Sequence, residues 1–370
     1  MDLSTTNFIG DLVREYSPYS WVASIVNGVI AIVAIMAVGV GPSPMLIWWE
    51  RKVAAFTQAR LGPMRVGPWG LLQTVCDVIK LLFKELITPH GADKLLFFLA
   101  PALPLTGSFL VLAVIPWDHN LQVANPGMGV PFIIAVSSLG ILGTLLAGWS
   151  SNNKFSLLGA LRCGAQMISY EVSLSLIMLF VVLMSGSADV REIVLSQQGN
   201  VTDWWIIKAP FLGIAAFVMY MISATAELNR GPFDMSEAEQ ELTAGFHTEY
   251  SSTAFAMFFL AEYINMVATS ALASVFFLGG FLPFAFPDFG FAPIVGVVAS
   301  INGALAILPG FFWMAGKILF LITLFMFFRW TYPRPRVDQL MSLEWKFLLP
   351  ANLILLGLGA VFIAFGLILP

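Results

Sequence analysis

The sequence predicts an all-α, polytopic membrane protein with about eight transmembrane helices and one amphipathic helix on the membrane surface. Two features of composition and one of pattern predict this class. Of the 370 residues, 58% are hydrophobic and only 11% are charged, whereas soluble domains carry about 25% charged residues. Long apolar runs recur along the chain, and Trp residues mark many of their ends, where interfacial aromatic side chains settle. This composition excludes a soluble enzyme and a disordered protein.

Charge and cysteine content exclude further classes. A formal net charge of −4 at pH 7 offers no basic surface for nucleic acid, so we expect no nucleic-acid partner. The two cysteines, Cys76 and Cys163, cannot form a disulfide framework, and the three histidines share no metal-ligand spacing. We therefore expect no metal site and no bound cofactor in this chain alone. The whole chain, residues 1–370, is expected to form one integral membrane domain without a cleavable signal peptide.

Eight apolar runs have the length of about 20 residues that a helix needs to cross the hydrocarbon core. They cover residues 22–48, 95–115, 130–149, 165–184, 206–226, 253–278, 305–328 and 347–368. A short extra span before Pro309 would make nine, but it would weaken the charge asymmetry between the two sides, so eight is preferred. The runs show no internal repeat, which argues against an inverted-repeat transporter.

Lys and Arg residues are distributed unequally between the two sides. Fourteen of the 18 lie in loops that follow odd-numbered spans, and three lie on the opposite side. Positive residues favour the cytoplasmic side of a membrane. We therefore expect the odd-numbered loops in the cytoplasm and both termini outside.

The first of these basic loops contains the predicted surface helix. From Pro68 to about Thr88, apolar residues recur at helical spacing on one face, while Asp77 and Lys80 fall on the other. Such a helix lies in the membrane surface. It is either a simple anchor or the cover of an opening towards lipid.

Carboxylates cluster in the loop after the fifth span and inside several spans. Residues 227–250 hold six acidic residues and a single Arg, Arg230. Glu171, Glu262 and Lys317 lie inside spans, where each charge costs about 2.5–3.5 kcal/mol unless it faces the protein interior. A solvated acidic loop and a structural Glu–Lys pair are the simpler interpretations. Because one Lys cannot neutralise all these carboxylates, the pattern favours a path for protons.

Three blocks of sequence carry a specific pattern. The first is ERKVAAFTQARLGPMRVGPWGLLQTVCDVIKLLFKE at 50–85, the second AELNRGPFDMSEAEQELTAGFHTEYSS at 226–252, and the third RPRVDQLMSLEWKFLLP at 334–350. Together with ISYEV at 168–172 and the hydropathy of the whole chain, they resemble one family in proton-pumping NADH:quinone oxidoreductase, respiratory complex I, namely its membrane subunit at the quinone site. Four positions depart from the family pattern: Met64 replaces Asn, Ser252 replaces Gly, and Pro335 and Val337 replace aromatic residues.

The resemblance implies a role within an enzyme complex of a bacterial inner membrane. Members of this family carry no redox centre and are not catalytic alone. With hydrophilic iron–sulfur subunits they form a tunnel in which quinone, the substrate, binds at the interface, and they couple its reduction to proton translocation. The resemblance also implies that flavin and iron–sulfur clusters lie in partner subunits. Small membrane subunits and antiporter-like subunits are the implied neighbours within the lipid.

The resemblance and the buried charges together give three groups of expected roles. The quinone passage is expected to use Glu50, Arg51, Arg60, Asp77, Asp234 and Glu237. The proton path is expected to use Glu171, Glu227, Glu239, Glu241 and Glu262. Interface contacts or charge balance are expected from Arg162, Arg230, Lys317, Arg329, Arg334 and Arg336.

Three alternatives stay open at the level of sequence. A membrane-bound hydrogenase or related complex would keep this architecture with another electron donor. A stand-alone proton-coupled or sodium-coupled transporter would explain the carboxylates but not the large cytoplasmic loops. A structural anchor for a peripheral enzyme would make the charges of the second block dispensable. The sequence also does not distinguish ubiquinone from menaquinone.

Overall fold

The computed structural model describes residues 20–209, 211–235, 243–287, 300, 302–303, 305 and 307–366. Three predicted site residues, Glu237, Glu239 and Glu241, lie outside the described residues, as does most of the segment that could hold a ninth span. Apart from one isolated β-bridge between Asp118 and Leu121, the regular elements in the described part are helical. The predicted all-α class is therefore confirmed.

Fourteen α-helices follow one another in the described residues. They are α1 (Ser20–Val40), α2 (Ser43–Thr57), α3 (Gln73–Phe83), α4 (Lys94–Leu99), α5 (Ala102–Val114), α6 (Gly129–Ser150), α7 (Lys154–Ser185), α8 (Val190–Leu195), α9 (Trp205–Lys208), α10 (Leu212–Glu227), α11 (Ser252–Phe277), α12 (Gly310–Thr331), α13 (Val337–Leu343) and α14 (Leu349–Ala364). A π-helical turn, Glu344–Leu348, joins α13 to α14.

Seven helical segments of the described chain are long and apolar enough to cross a membrane. They are Gly28–Thr57, Lys94–Val114, Gly129–Ser150, Lys154–Ser185, Ser252–Phe277, Gly310–Thr331 and Val337–Ala364. The shorter apolar helix α10, with 16 residues, accounts for the remaining predicted run. The prediction of a polytopic membrane protein is confirmed. We call the side with the loops 58–93, 151–153, 228–251 and 332–336 the basic face.

The first apolar run is divided into two helices. Because Pro42 has no amide hydrogen, α1 ends before it and α2 begins immediately after it. The hydroxyl of Ser43 donates to the carbonyl of Gly39 at 2.8 Å and holds the two helices together. α2 then continues to Thr57, beyond the predicted end at residue 48, so Glu50 lies within a helix.

The surface helix α3 is shorter than predicted. It begins at Gln73 rather than Pro68, because Trp69 and Gly70 adopt left-handed φ angles of 58° and 79°, which a right-handed helix excludes. Much of its apolar face stays exposed, with Ile79 at 49% and Leu82 at 57%. An exposed apolar face of this kind fits contact with lipid.

α7 is the central helix of the bundle and packs against α6, α10 and α14. α11 packs against α5 and α12, while α3 lies across α2 and α11. Large side chains such as Tyr170, Tyr220, Phe180 and Phe276 are fully buried between these helices. The helices that supply the acidic side chains are thus rigidly packed together.

Candidate functional site

A cavity of about 1080 Å³ lies between α2, α3, α11 and the end of α12. We call it the large cavity. Its walls are mostly apolar, with residues such as Ile47, Val78 and Leu260. Four of the residues predicted for the quinone passage line it: Glu50, Arg51, Arg60 and Asp77. An apolar space with a few polar groups is typical of a site for an elongated apolar ligand with a polar head.

An ion pair connects the surface helix α3 to α2 beside the large cavity. Arg51 of α2 lies 2.7 Å from Asp77 of α3, and the two side chains are 44% and 35% exposed. Such a partly exposed pair contributes about 0–1 kcal/mol to stability. Its consequence is therefore mainly positional, because it fixes α3 beside the cavity.

Glu50 lines the large cavity and is almost completely buried. Its carboxylate accepts hydrogen bonds from Arg230 at 2.9 Å, from Tyr263 at 2.6 Å and from Arg329 at 2.6 Å. These donors come from the loop after α10, from α11 and from α12. The contacts therefore tie three distant parts of the chain to one carboxylate of α2.

Arg230 connects Glu50 to a second carboxylate. Its Nε donates to Glu262 of α11 at 2.5 Å, and its guanidinium lies 4.7 Å above the ring of Tyr263. Burial by itself would lower the pKa of Arg230, but Glu262 and Glu50 outweigh burial and raise that pKa well above its usual value. Arg230 therefore stays charged between two carboxylates.

The turn after α10 places Arg230 in this position. α10 ends at Glu227, and Asn229 adopts a left-handed φ of 50° that reverses the chain. Gly231 then passes so close to Arg329 that an added Cβ would lie 3.0 Å from its Cγ. A glycine at this position lets both arginines approach the same carboxylate.

Two smaller cavities lie beyond Arg230. The carboxylate cavity, of about 90 Å³, is lined by Glu227 and Glu262 together with Asn265. The inner cavity, of about 20 Å³, is lined by Glu171, Glu227 and Asn265. Since Glu227 and Asn265 belong to both walls, the two cavities adjoin. Their volumes leave room for several water molecules and about one water molecule, respectively.

These cavities bring together the three intramembrane glutamates of the predicted proton path. Ser137 of α6 donates to Glu171 at 3.1 Å. Glu227 makes no hydrogen bond with the part of the chain that the structure describes, and it faces both cavities. Glu262, Glu227 and Glu171 therefore follow one another along two adjoining cavities.

Other predicted residues lie apart from this arrangement. Asp234 is buried and pairs with the exposed Arg334 at 3.2 Å, and it does not line the large cavity. The backbone N–H of Arg336 donates to Gln339 at 3.1 Å, at the start of α13. Arg162 is half-buried on α7. These residues lie towards the basic face.

Lys317 lies at the opposite end of the bundle. Its ammonium donates to the carbonyls of Leu278, Gly280 and Leu282 at 2.7–2.8 Å and lies 4.3 Å above the ring of Trp204. These acceptors are backbone groups after α11. A role in balancing the glutamates therefore has no support from a direct contact.

Two buried titratable residues are missed by the sequence pattern. His247 lines the carboxylate cavity, and burial lowers its pKa to about 4. Glu344, in the π-helical turn, is fully buried and accepts a hydrogen bond from Ser173. A single His in a loop gives no spacing signal, and Glu344 precedes the apolar run that is predicted as the last span. Among the described residues, no group of three or more His, Cys, Asp or Glu is arranged to hold a metal ion.

Comparison with known proteins gives a consistent result. The model of a family described as NADH dehydrogenase matches residues 29–360. A subunit of NADH-quinone oxidoreductase from Bacteroides thetaiotaomicron is 44% identical over 98% of this chain and 97% of its own length. The corresponding subunits from Bacteroides fragilis and Brevibacillus brevis are each 46% identical, over 92% and 91% of this chain and 90% and 93% of their own lengths.

Proposed function

The chain belongs to the NADH dehydrogenase family, and from this premise we propose that it is the membrane subunit of a bacterial NADH-quinone oxidoreductase that forms part of the quinone passage. We further propose that it couples quinone reduction to proton movement through its carboxylates. The observation that carries the proposal is the chain of ion pairs from Glu50 through Arg230 to Glu262. This chain joins the wall of the large cavity to the wall of the carboxylate cavity.

The large cavity supports the quinone passage. A quinone carries an apolar tail and a head with two carbonyl oxygens, so its site needs apolar walls and a few hydrogen-bond donors. Arg51 and Arg60 supply donors in the cavity wall, and α3 borders it with an exposed apolar face. In this arrangement the tail enters from lipid beside α3, and the head group moves towards Glu50.

The ion pairs provide a way for charge to act on the proton path. Reduction of a quinone adds two electrons and two protons, so negative charge develops before the protons arrive. An anion near Glu50 draws the positive charge of Arg230 towards the large cavity and away from Glu262. Glu262 then loses part of the charge compensation that Arg230 provides. Water in the two smaller cavities then carries protons between Glu262, Glu227 and Glu171.

The wider assembly follows from the same proposal. The chain lies in the bacterial inner membrane with both termini outside, so its basic face lies in the cytoplasm. There, Arg162, Arg334 and Arg336 hold or balance the interface with hydrophilic subunits that carry flavin and iron–sulfur clusters. Glu237 flanks the quinone chamber, Asp234 supports the basic face from outside the wall of the large cavity through its pair with Arg334, and Glu239 and Glu241 extend the proton path. Small and antiporter-like membrane subunits receive the protons or the coupling signal.

Carboxylate variants in the assembled complex test the proton path. Glu227→Gln and Glu262→Gln should lower NADH:quinone turnover and proton translocation by about tenfold or more, while NADH oxidation with a soluble artificial acceptor stays unchanged. Glu249→Gln is the matched control, because Glu249 accepts from Asn153 at 2.6 Å and lines neither small cavity. Full turnover and full pumping in both path variants would overturn the proton-path proposal.

A labelling experiment tests the quinone passage separately. A photoreactive quinone analogue should label residues of α2, α3 and α11 that line the large cavity, and excess quinone should prevent the labelling. Labelling confined to other parts of the chain, or insensitive to quinone, would contradict the assignment of this cavity.

A further inference from the structure

We propose that His247 is a proton-transfer residue of the carboxylate cavity, at the end of that cavity nearest the basic face. This inference rests on the proposed function, since it adds a residue to the proton path. It concerns a side chain that lies outside the predicted membrane spans and that the carboxylate mechanism alone does not require.

The loop around His247 holds the imidazole in a defined place. His247 ends a 3₁₀ turn, Gly245–His247. The hydroxyl of Ser156 on α7 donates to the carbonyl of Phe246 at 2.8 Å. The N–H of Tyr250 donates to the carbonyl of His247 at 3.0 Å. The backbone on both sides of the ring is thus anchored to the bundle.

The ring lies next to the aromatic side chains between the large cavity and the carboxylate cavity. Its centroid is 5.4 Å from that of Phe255, which lines the large cavity. Phe259 lines the large cavity and the carboxylate cavity together. His247 is therefore a titratable group beside this aromatic wall, on the side of the carboxylate cavity.

Several polar side chains line the space in front of the ring. Among the residues that the structure describes, Glu227 and Glu262 are the charged side chains that line the carboxylate cavity, and Asn229 and Asn265 add amides. The Oδ1 of Asn229 is buried without a hydrogen-bond partner among the described residues, as expected for a group that bonds to water. Water in the cavity can thus connect the imidazole to both carboxylates.

The chemistry of the ring suits this transfer. Because burial lowers its pKa to about 4, the imidazole is neutral at physiological pH and has one N–H donor and one acceptor nitrogen. A protonated carboxyl group of the cavity, on Glu227 or Glu262, gives its proton through water to the acceptor nitrogen, while the other ring nitrogen releases its proton through water to the remaining carboxylate. No net charge stays on the ring, no bond other than N–H and O–H changes, and no electrons are transferred.

The test uses the assembled complex with His247→Ala and His247→Asn. His247→Asn keeps a polar side chain but cannot relay a proton. Both variants should lower coupled NADH:quinone turnover by about tenfold or more, with wild-type amounts of complex and unchanged reaction with a soluble artificial acceptor. Free imidazole should restore most of the lost turnover to His247→Ala. The rescue should increase with pH as a larger fraction of the added imidazole becomes neutral. His90→Ala, at an exposed His, is the control and should not change.

The outcomes separate a role of His247 from the proton path itself. Wild-type turnover in His247→Asn, or a loss in His247→Ala that imidazole does not restore, would show a role in packing and overturn the proposal. A loss of turnover in Glu227→Gln together with full turnover in His247→Ala would overturn the role of His247 and leave the proposed proton path intact. Full activity and pumping in Glu227→Gln and Glu262→Gln would remove the proton path on which both depend.

Discussion

Glu50 and Arg230 form an ion pair of 2.9 Å in the interior of the bundle, with side chains 8% and 3% exposed. Two desolvated charges are stable together only when nearly all their hydrogen-bonding groups are used. Tyr263 and Arg329 meet this demand at Glu50, and Glu262 meets it at Arg230. The pair is therefore part of a network in which a change of charge at Glu50 alters the electrostatic surroundings of Glu262 through Arg230.

Replacing Arg230 should disrupt this network more than replacing Arg329. Arg230→Gln leaves two carboxylates without their shared cation, and removing one partner of a buried pair costs about 3–5 kcal/mol. Arg329 is 31% exposed and forms its ion pair with Glu50, so Arg329→Gln should cost clearly less. The amount of assembled complex and its melting temperature measure the difference. Equal effects of the two variants would contradict the network as described.

The Arg51–Asp77 pair should affect quinone access more than the chemical step. Asp77→Asn removes a partly exposed pair that contributes about 0–1 kcal/mol, so the complex should assemble normally. Because α3 is then held less firmly beside the large cavity, the KM for quinone should rise while kcat changes little. The charge-exchanged double variant, Arg51→Asp with Asp77→Arg, restores an ion pair between α2 and α3. Its KM for quinone should therefore lie between those of Asp77→Asn and wild type. Steady-state kinetics with a short-tailed quinone measure both parameters, and a fall in kcat alone would argue against a positional role.

Ser252 should be important for its hydroxyl despite its unfavourable backbone. Its φ is 55°, where glycine is favoured, yet the hydroxyl donates to the carbonyls of Leu81 and Lys84 at 3.2 and 2.7 Å. Ser252→Ala loses both bonds and keeps the strain, at a cost of about 1–2 kcal/mol, whereas Ser252→Gly loses the bonds but relieves the strain. Hydrogen exchange of α3 should therefore be fastest in the alanine variant. Equally slow exchange in wild type and Ser252→Ala would mean that these bonds do not hold the helix.

The sequence was sufficient to predict the helical class, and the structure places several of the charges that the family resemblance indicates around one cavity. The length of each apolar run is set by the thickness of the bilayer, and the distribution of Lys and Arg is set by the two sides of the membrane. Both signals can be read locally, without knowing how the helices pack together. Glu50, Arg51, Arg60 and Asp77 share the first sequence block, and the structure brings all four to the large cavity. Asp234 does not join them at the cavity wall, because its pairing with Arg334 depends on a contact between distant loops.

Other features could not be predicted because they arise only from packing. α3 ends at Phe83 rather than near Thr88, and the carbonyls at this end accept from the hydroxyl of Ser252, more than 160 residues away in the chain. The surroundings of Lys317 depend on three carbonyls that become available where α11 ends. The position of His247 beside two cavities depends on how the loop after α10 folds against α7. None of these contacts leaves a periodic pattern in the sequence.

His247 should make stability depend on pH in the weakly acidic range. Its pKa is about 4 in the folded protein and about 6.5 in an unfolded chain, so the unfolded state binds more protons between these values. The stabilising contribution is thus complete above about pH 6.5 and is lost as pH falls towards 4, by up to about 3 kcal/mol.

His247→Phe isolates this contribution, because it keeps an aromatic ring between Phe246 and Phe255 without a titrating group. On lowering the pH from about 7 to 5, the melting temperature of the wild-type complex should fall further than that of the variant. The other charged side chains, including Glu227 and Glu262 of the same cavity, are unchanged in the variant, so their contributions to the pH dependence largely cancel in the comparison. An identical pH dependence would show that His247 is not neutral in the folded protein.

Glu344 offers a test of how a buried carboxyl is tolerated in the last span. It accepts a hydrogen bond from Ser173 of α7, and its second oxygen, Oε2, has no partner among the described residues. Glu344→Gln keeps an acceptor for Ser173 in a side chain of the same size, so assembly and stability should stay close to wild type.

Glu344→Leu leaves the Ser173 hydroxyl buried without this acceptor, at a cost of about 1–3 kcal/mol. Adding Ser173→Ala removes both partners and should recover most of that loss, because an apolar pair needs no hydrogen bond. Melting temperatures of wild type and the three variants measure these differences, and a double variant less stable than Glu344→Leu would show that Ser173 has another essential contact.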